Sequence, residues 1–425
     1  MNKYLFISIM LISLFSGQCV HGGMNVGKMA VRAKGVVGKA KNVSRVRRIT
    51  LTPEEKAILP VNGIATHRIR YSPKEARVYS LFERTSKKIH NLDTQVSELM
   101  SQTLTWRLRR YTTFLDHDLF PRYAQLNEQI VRDAQQFSMN NLKRWIPHEI
   151  EFLKYLQVET YRSIPWEKYL PSQPVDFIVI GETHNHMGTY RTILQAVKAL
   201  KEKNPNRKII FATEYVSDTL MKGSFPEKSE PLFVRNSTEL ENALVVDKNE
   251  MALQFLTEIF DMDVEIVGIE PRSAVINAFL KERGLTEMSK AEKDNHYAFA
   301  RSEVMIKERN QKWAEYLNQL RAQNPDALII GHCGSSHSNL NTLYSFPSLL
   351  KGNKFVIQFT PQQELSNISP AFYLEVVSMN LPQESFSLGD KQVFSFKPSM
   401  YSLPLATQQL FRTAWGADLV ISLTR

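Results

Sequence analysis

Side chains that could perform acid–base or metal chemistry first come together just after Gly181. Glu182, His184 and His186 follow an apolar run and occupy every second position. In an extended segment these three side chains would project to one side. A carboxylate beside two imidazoles suits metal ligation, or a histidine base that the carboxylate orients. The alternative is that these polar residues cap the helix that follows.

Acidic residues also follow two later apolar runs. Glu214 comes directly after an Ile-Ile-Phe-Ala-Thr segment and precedes Tyr215, and Glu270 follows a Val-Gly-Ile segment. Arg272 comes two positions after Glu270. Glu270 and Arg272 could form a simple ion pair or could clamp a substrate. Both carboxylates are expected at the same rim as Glu182.

Two histidines, His332 and His337, occupy a turn that is rich in glycine and serine. Five of the ten histidines lie between His184 and His337, which concentrates imidazoles in this part of the chain. Cys333 is disfavoured as a nucleophile because no nucleophile-elbow helix pattern follows it. The neighbouring serines are disfavoured because Gly-x-Ser-x-Gly is absent. The residues leave open whether His332 or His337 serves the site.

The elements expected to position these groups lie between about residues 173 and 360. Apolar runs alternate there with helical patterns, which is typical of βα units and a parallel sheet. Functional groups gather beyond the carboxyl ends of the strands in an open α/β sheet, so one rim should carry them. The predicted strands are Val175–Ile180, Lys208–Thr213, Val264–Ile269, Ala327–Ile330 and Phe355–Phe359. The predicted helices are Thr189–Lys203, Glu250–Phe260, Met288–Gln323 and Leu340–Leu350.

The expected fold class is therefore α/β, with a mostly parallel sheet flanked by helices. This domain is expected to cover residues 171–425. It includes a β-leaning carboxyl-terminal tail, with strands near Phe372–Val377, Val393–Phe396 and Leu419–Leu423.

A helical region is predicted before this domain, over residues 51–170. A heptad seam from Val78 to Trp106 predicts one long helix. That helix either covers the next domain or joins copies of the chain as a coiled coil. Two further helices are predicted near Pro121–Trp145 and Pro147–Tyr161.

The first 50 residues resemble a targeting leader and a tail. Lys3 and the dozen or so apolar residues after it predict a signal peptide over residues 1–22, and hence export to the periplasm, envelope or exterior. Residues 23–50 form a basic tail whose eight Lys and Arg account for most of the net charge of +10. This tail suits contact with an anionic membrane surface. A nucleic-acid partner is not expected, because no basic face interleaved with stacking aromatics is found.

The small number of cysteines excludes some classes of protein. The chain holds two cysteines, which excludes a disulfide scaffold and a cysteine-rich zinc module. Lipidation at Cys19 is left open. If Cys19 is removed with the leader, Cys333 is the remaining cysteine and no internal disulfide can form.

Three short motifs resemble a known superfamily. They are Gly181-Glu182-Thr183-His184, Arg309-Asn310 with Trp313, and the Gly/His turn after the fourth predicted strand. Over about residues 173–360 the chain resembles the erythromycin-esterase, ChaN-like haem-binding and TraB/Tiki superfamily. The Tiki-like branch places Gly-x-x-His directly after the strand. Here Gly331, His332 and Cys333 intervene before the Gly-x-x-His that ends at His337.

The resemblance implies either hydrolysis or ligand binding without catalysis. Esterase members hydrolyse a lactone with a Glu/His-activated water, Tiki-like members are metal-dependent proteases, and ChaN-like members bind haem. The leading hypothesis is a secreted or envelope hydrolase that acts on an ester, lactone or peptide bond of a small molecule or peptide. The alternative is a ChaN-like haem- or metal-binding envelope protein without catalysis. A third class is a non-catalytic interaction protein that uses the long helix.

The hydrolase hypothesis assigns roles to the residues at the rim. Glu182 and His184 would activate water, directly or through a divalent metal, and Arg309 would stabilise developing negative charge. The predicted catalytic residues are Glu182, His184, Glu214, Arg309 and His337, and a metal would be held by Glu182, His184 and His337. The predicted ligand-binding residues are His186, Tyr215, Glu270, Arg272, Asn310 and His332. In the haem alternative the axial ligand is His184, His186 or Tyr215.

Overall fold

A computed structural model describes residues 115–145, 155–184, 186–220, 230–245, 250–361 and 390–423. The signal peptide, the basic tail and the heptad helix lie outside these residues, as does the strand predicted at Phe372–Val377. Those features stay predictions, and so does the division of the chain into the regions that they define.

The centre of the fold is a mixed sheet of nine strands in the described part of the chain. In chain order the strands are β1 (Leu156–Tyr161), β2 (Phe177–Glu182), β3 (Ile209–Ser217), β4 (Leu232–Phe233), β5 (Glu265–Glu270), β6 (Leu328–Gly334), β7 (Lys354–Pro361), β8 (Lys391–Phe396) and β9 (Leu419–Leu423). Their order across the sheet is β1-β8-β9-β7-β2-β6-β3-β5-β4. From β9 to β5 all neighbours run parallel, whereas β8 and β4 are antiparallel to theirs. The predicted α/β fold class is confirmed.

Helices flank this sheet. In chain order the described ones are α1 (Pro121–Trp145), α2 (Trp166–Tyr169), α3 (Met187–Lys203), α4 (Ser237–Ala243), α5 (Glu250–Asp261), α6 (Arg272–Arg283), α7 (Lys293–Ala300), α8 (Glu303–Gln323), α9 (Ser335–Ser338) and α10 (Leu405–Trp415). Short 3₁₀ turns lie at Lys290–Glu292, Phe346–Leu349 and Pro398–Ser402. Within the described segments no helix is both long enough and apolar enough to cross a bilayer.

The prediction of a helix at Leu340–Leu350 was wrong. This segment forms turns and the 3₁₀ turn at Phe346–Leu349. Asn339 explains the difference, because its side-chain oxygen accepts from the amide of Asn341. Such local bonds offer the backbone an alternative to helical hydrogen bonds. Tyr344 then adopts φ +63, in the left-handed region, which a continuous helix cannot contain.

Two other predicted helices differ from the structure at their ends or in the middle. The prediction of a helix near Pro147–Tyr161 was wrong at its carboxyl end, since Leu156–Tyr161 forms β1 and pairs with β8. The helix expected over Met288–Gln323 is divided. Ser302 has extended ψ (152) and starts α8, while its hydroxyl donates to the carbonyl of Phe299 in α7.

The strands that position the site are buried on both faces. Every residue of β2, β3 and β6 is buried, as expected for a parallel sheet covered on both sides. Alternate residues of β2 enter different cores. Val179 packs with Trp313 of α8, and Ile180 packs with Tyr190 of α3. Glu182 continues the Ile180 side and therefore faces the α3 side of the sheet.

The carboxyl end of β3 depends on a glycine in the neighbouring strand. The β3–β5 register shifts between Thr213 and Ser217, so the ladder is interrupted around Glu214. A Cβ atom at Gly268 would overlap the backbone carbonyl of Ser217. Backbone cannot move aside as readily as a flexible side chain. Register shifts of this kind change the direction of side chains at the ends of strands.

We expect Gly268→Ala to destabilise the protein by about 1–3 kcal/mol, the usual cost of overpacking. The free energy of unfolding in urea measures this cost. An unchanged value would show that the end of β3 tolerates a methyl group, against the steric argument.

Candidate functional site

The structure brings a carboxylate–imidazole–carboxylate group together at the carboxyl edge of the parallel strands. Glu182 ends β2, His184 follows it, and Glu214 lies near the end of β3. The Nδ1 atom of His184 donates to Glu182 Oε1 at 2.8 Å. Its Nε2 atom lies 3.3 Å from Glu214 Oε1. The imidazole of His184 therefore bridges two acidic groups that are 32 residues apart in sequence, from position 182 to position 214.

Glu182 is fully buried and held by two donors. Besides His184, the hydroxyl of Tyr215 donates to Glu182 Oε1. The Tyr190 hydroxyl lies 2.9 Å from that of Tyr215 and extends the network into α3. Burial alone would raise the pKa of Glu182, but the hydrogen bond and charge of His184 lower it below its usual value. Glu182 is therefore a carboxylate at neutral pH.

His184 is charged and open to solvent. Its side chain is 46% exposed, whereas those of Glu182 and Glu214 are 0% and 6% exposed. Partial burial lowers the pKa of His184, but the hydrogen bond to Glu182 and the negative charges of both glutamates raise it to about 9. At neutral pH His184 is thus an imidazolium, which can give a proton but cannot accept one.

Arg309 reaches the same edge from α8 and holds two buried carboxylates. It bonds to Glu270 through Nε (3.0 Å) and Nη2 (3.0 Å) and lies 3.3 Å from Glu214 through Nη2. The amide of Gly334 donates to the other oxygen of Glu214 at 2.5 Å. Burial raises the pKa of Glu270 to about 7, against the charge of Arg309. Protonation of Glu270 thus begins close to neutral pH.

His332 is placed against Glu182. Its side chain is fully buried, and its Nε2 atom lies 3.8 Å from Glu182 Oε1. The Nδ1 atom pairs with the Thr213 hydroxyl at 2.9 Å, and the ring stacks on Phe211 with centroids 5.2 Å apart. Burial lowers the pKa of His332 to about 4, so the ring is neutral at neutral pH.

His337 lies in α9, one turn beyond β6. Its Nδ1 atom is 2.6 Å from Asn310 Oδ1, and its ring centroid is 4.7 Å from that of Trp313. Burial, together with the positive charges of Arg309 and His184, holds the pKa of His337 well below its usual value. The site therefore combines one charged histidine with two neutral ones. The assignment of catalytic roles among them stays a prediction.

Three other candidate residues contribute no hydrogen bond to this cluster in the described part of the chain. His186 caps α3, accepting the amide of Thr189 at 3.2 Å, which is the capping alternative weighed for the first motif. Arg272 begins α6, and its charge acts on His296, while the partner of Glu270 is Arg309. Cys333 is fully buried, and burial raises the pKa of its thiol, so it is not a nucleophile at neutral pH.

Three participants were not predicted from the sequence. They are the hydroxyl of Tyr190, the side chain of Thr213 and the backbone amide of Gly334. Tyr190 carries a signal that could have revealed it, since it lies in the first turn of the helix that starts at the functional rim. A backbone amide carries no such signal, because every residue other than proline has one.

A cleft lies next to the cluster, between the start of α6 and one face of α8. Its volume is about 340 Å³. Ala274, Val275 and Met305 provide apolar walls, and Arg309 is part of its lining. Arg309 therefore connects the cleft to the buried carboxylates, and the cleft offers room for a substrate beside them.

The side-chain donor atoms at this rim bear on whether a metal ion or a haem could bind there. Among the described residues no three His, Cys, Asp or Glu side chains are grouped so as to hold a metal ion together. In this part of the chain the predicted set of Glu182, His184 and His337 does not form such a group. For haem, the hydroxyl of Tyr215 is committed to Glu182, and both ring nitrogens of His184 face carboxylates. These two residues do not fit an axial position, and the third candidate, His186, caps α3 through its Nδ1 atom.

Comparisons with known proteins give a weak structural relation. The sequence matches no protein-family model and no curated protein. One similar solved structure is described as cofacial haem binding to ChaN of Campylobacter jejuni. It has 13% identity and a TM-score of 0.31, over 58% of this chain and 87% of that chain. Another is the type III effector HopBA1, with 11% identity and a TM-score of 0.30, over 59% and 88%. Structural likenesses with TM-scores this low carry no conclusion about the family or the activity of this chain.

The neutral state of buried His332 has a consequence for stability. A histidine whose pKa falls from 6.5 to about 4 on folding stabilises the fold above pH 6.5 and loses that contribution as the pH falls toward 4. The shift corresponds to a stability loss on the order of 3 kcal/mol. His332→Phe, which fits among aromatic rings, should lose this part of the acid sensitivity. Urea unfolding between pH 7 and pH 4 measures it.

The exposed His117 provides the matched control for this experiment. His117→Phe should keep the acid sensitivity of the wild type. Equal acid sensitivity in wild type and His332→Phe would contradict the argument that His332 is neutral in the folded protein.

Proposed function

We propose that the protein is a hydrolase of ester or lactone bonds. The observation that supports this is His184, an exposed imidazolium held between the carboxylates of Glu182 and Glu214 at the carboxyl edge of a parallel sheet. Hydrolysis of an ester releases an alkoxide, which needs a proton as the bond to the acyl carbon breaks. His184 supplies that proton, since its pKa of about 9 keeps it charged at neutral pH.

The hydrogen-bond geometry favours Nε2 as the donor atom. Nδ1 is bound to Glu182 at 2.8 Å, whereas Nε2 is 3.3 Å from Glu214, beyond the common range for such bonds. A substrate oxygen can displace the weaker partner. Glu182 then keeps the ring oriented, and Arg309 remains beside Glu214 to stabilise negative charge that develops on the acyl oxygen.

Turnover by the purified full chain tests this proposal. We expect hydrolysis of some members of a panel of aryl esters, alkyl esters and lactones, with peptides as the competing class of substrate. Glu214→Gln should lower kcat/KM at least about tenfold, since it weakens the charge that holds His184 protonated. Glu128→Gln, at an exposed position of α1 outside the cleft, is the matched control. No turnover of any ester or lactone would overturn the proposal.

Haem binding is the competing function, and one titration separates it from hydrolysis. Haem is added to the purified protein while the visible absorption spectrum is recorded. The hydrolase proposal expects no spectrum of a histidine- or tyrosine-ligated haem. A stoichiometric haem spectrum that is lost in His184→Ala or Tyr215→Phe would favour the haem alternative.

The cleft beside Arg309 provides a further test of where the substrate lies. Ala274 lines the cleft and is exposed. Ala274→Trp should fill this space and raise KM at least about tenfold, while kcat changes little because no hydrogen bond of the site involves Ala274. Ala274→Ser, which adds one hydroxyl group, should behave like the wild type. Steady-state kinetics measure both, and an unchanged KM in the tryptophan variant would place the substrate elsewhere.

A further inference from the structure

Asn310 has its amide orientation fixed by a backbone carbonyl. Its Nδ2 atom donates to the carbonyl oxygen of Tyr344 at 2.9 Å. A carbonyl oxygen only accepts hydrogen bonds, so the amide nitrogen of Asn310 must face Tyr344. The amide oxygen then faces the other way, toward the ring of His337 at 2.6 Å. Exchange of the two amide atoms would place oxygen against oxygen at Tyr344.

This orientation decides which nitrogen of His337 carries the proton. Because Asn310 Oδ1 can only accept, Nδ1 of His337 must be the N–H that donates to it. The ring is neutral at ordinary pH, since burial and two nearby positive charges oppose protonation. A neutral imidazole with hydrogen on Nδ1 has a lone pair on Nε2. His337 is thus a proton acceptor of defined direction.

The carbonyl that fixes Asn310 is itself held in an unusual conformation. Tyr344 adopts φ +63, which costs free energy for a residue with a side chain. Lys307 lies over its ring at 4.5 Å from the centroid and helps to hold it. The chain therefore sustains a strained residue at the position whose carbonyl orients Asn310.

The neutral ring of His337 lies within electrostatic reach of the site. Trp313 packs against His337 on one side, with ring centroids 4.7 Å apart, and against the guanidinium of Arg309 at 5.0 Å. The charges of Arg309 and His184 both act on His337. A neutral base within electrostatic reach of the charged donor His184 is the pair that ester hydrolysis needs, since one group takes a proton as the other gives one.

We infer that Asn310 is a positioning residue that locks His337 with hydrogen on Nδ1, so that Nε2 is the general base for the attacking water. This rests on the proposed hydrolase function. In the addition step an O–H bond of water breaks, its proton goes to Nε2 of His337, and the water oxygen bonds to the acyl carbon as the π pair of the C=O bond moves onto the acyl oxygen. In the second step that pair re-forms the C=O bond, the bond to the leaving alcohol breaks, and His184 gives the alcohol oxygen a proton. Transfer of the proton from His337 to His184 then restores both rings.

The tautomer is tested without any substrate. In ¹⁵N-labelled full-length protein, the ring nitrogens of His337 are assigned by comparison with His337→Gln. We expect an N–H signal at Nδ1 and a lone-pair signal at Nε2 in the wild type. Asn310→Ala should lose this preference, whereas Asn310→Asp, which keeps an acceptor toward His337, should retain it. A wild-type ring with hydrogen on Nε2 would overturn the inference, whether or not the protein hydrolyses esters.

Kinetics test the role of the locked ring. Asn310→Ala should lower kcat at least about tenfold with little change in KM, because it misplaces the base without touching the substrate. Asn310→Asp should recover part of kcat and move the acidic limb of the pH–rate profile to higher pH, since a carboxylate beside His337 raises its pKa. Wild-type kcat in a folded Asn310→Ala would overturn the role of Asn310, while the hydrolase proposal would stand. Circular dichroism confirms folding of each variant.

Discussion

Glu182→Gln and His184→Ala are each expected to lower the rate of ester hydrolysis at least about a hundredfold, the scale of losing an acid–base group. Glu182 orients the imidazole through Nδ1 and supports its charge, and His184 carries the proton. Glu182→Gln leaves the half-exposed His184 with Glu214 beside it. His184→Ala leaves the buried Glu182 with the hydroxyl of Tyr215 as its donor, so circular dichroism must show that this variant is folded before its rate is compared.

The pH dependence sharpens this prediction. In the wild type, activity should fall as the pH rises past about 9, where His184 loses its proton. In Glu182→Gln the pKa of His184 should move down toward its ordinary value of 6.5, so the residual activity should be lost at lower pH. A pH–rate profile from pH 5 to pH 10 measures both limits.

A surface pair provides the matched control. His117 and Glu128 form an ion pair at 2.7 Å, and both side chains are exposed. His117→Ala and Glu128→Gln should leave kcat/KM within about twofold of the wild type, because an exposed pair contributes little. Wild-type activity in a folded His184→Ala would end the proposed role of this residue.

Removal of Arg309 is expected to cause the largest loss of stability. Arg309→Met leaves Glu214 and Glu270 buried without their cation. Breaking a buried pair by removing one partner costs about 3–5 kcal/mol, since the remaining charge is not compensated. The free energy of unfolding at neutral pH measures this loss. Lys312→Met, on the same helix in an exposed pair with Glu315, should cost no more than about 1 kcal/mol.

The cost of Arg309→Met should depend on pH. Glu270 has its pKa raised to about 7 even beside Arg309, and loss of that charge raises it further. A carboxyl with a raised pKa destabilises the fold as the pH rises from 4.5 through its folded pKa, because the unfolded chain ionises it more readily. The difference between variant and wild type should therefore be larger at pH 8 than at pH 5. A difference that is constant over this range would contradict the assignment to Glu270.

Local pattern was enough to predict the parallel sheet and much of its edge. The strands at Phe177–Glu182, Ile209–Ser217 and Glu265–Glu270 were predicted within a few residues, because fully buried strands are continuous apolar runs. Since parallel strands end at one edge, the sequence also predicted that Glu182, His184, Glu214 and His337 would converge there. This inference needs chain order and strand direction but no side-chain detail.

The local sequence pattern was insufficient for segments whose structure is decided by a distant strand or by side-chain contacts. Leu156–Tyr161 is a strand because β8 offers it a ladder, and β8 lies more than 200 residues later. At Leu340–Leu350 the apolar spacing suggested a helix, but side-chain bonds from Asn339 and the strained Tyr344 prevent one. In each segment tertiary or side-chain contacts outweigh intrinsic propensity, which amounts to less than about 1 kcal/mol per residue.

The sequence by itself determined the class of fold, the sheet edge and the residue types that gather there. Only the tertiary structure decided which of these side chains are charged and which way each one points. His184 and His332 are both imidazoles near Glu182, yet one has a pKa of about 9 and the other of about 4. The reason is physical: the pKa of a side chain depends on burial and on the charges packed around it. Those surroundings come from distant parts of the chain and exist once the sheet and its helices have assembled.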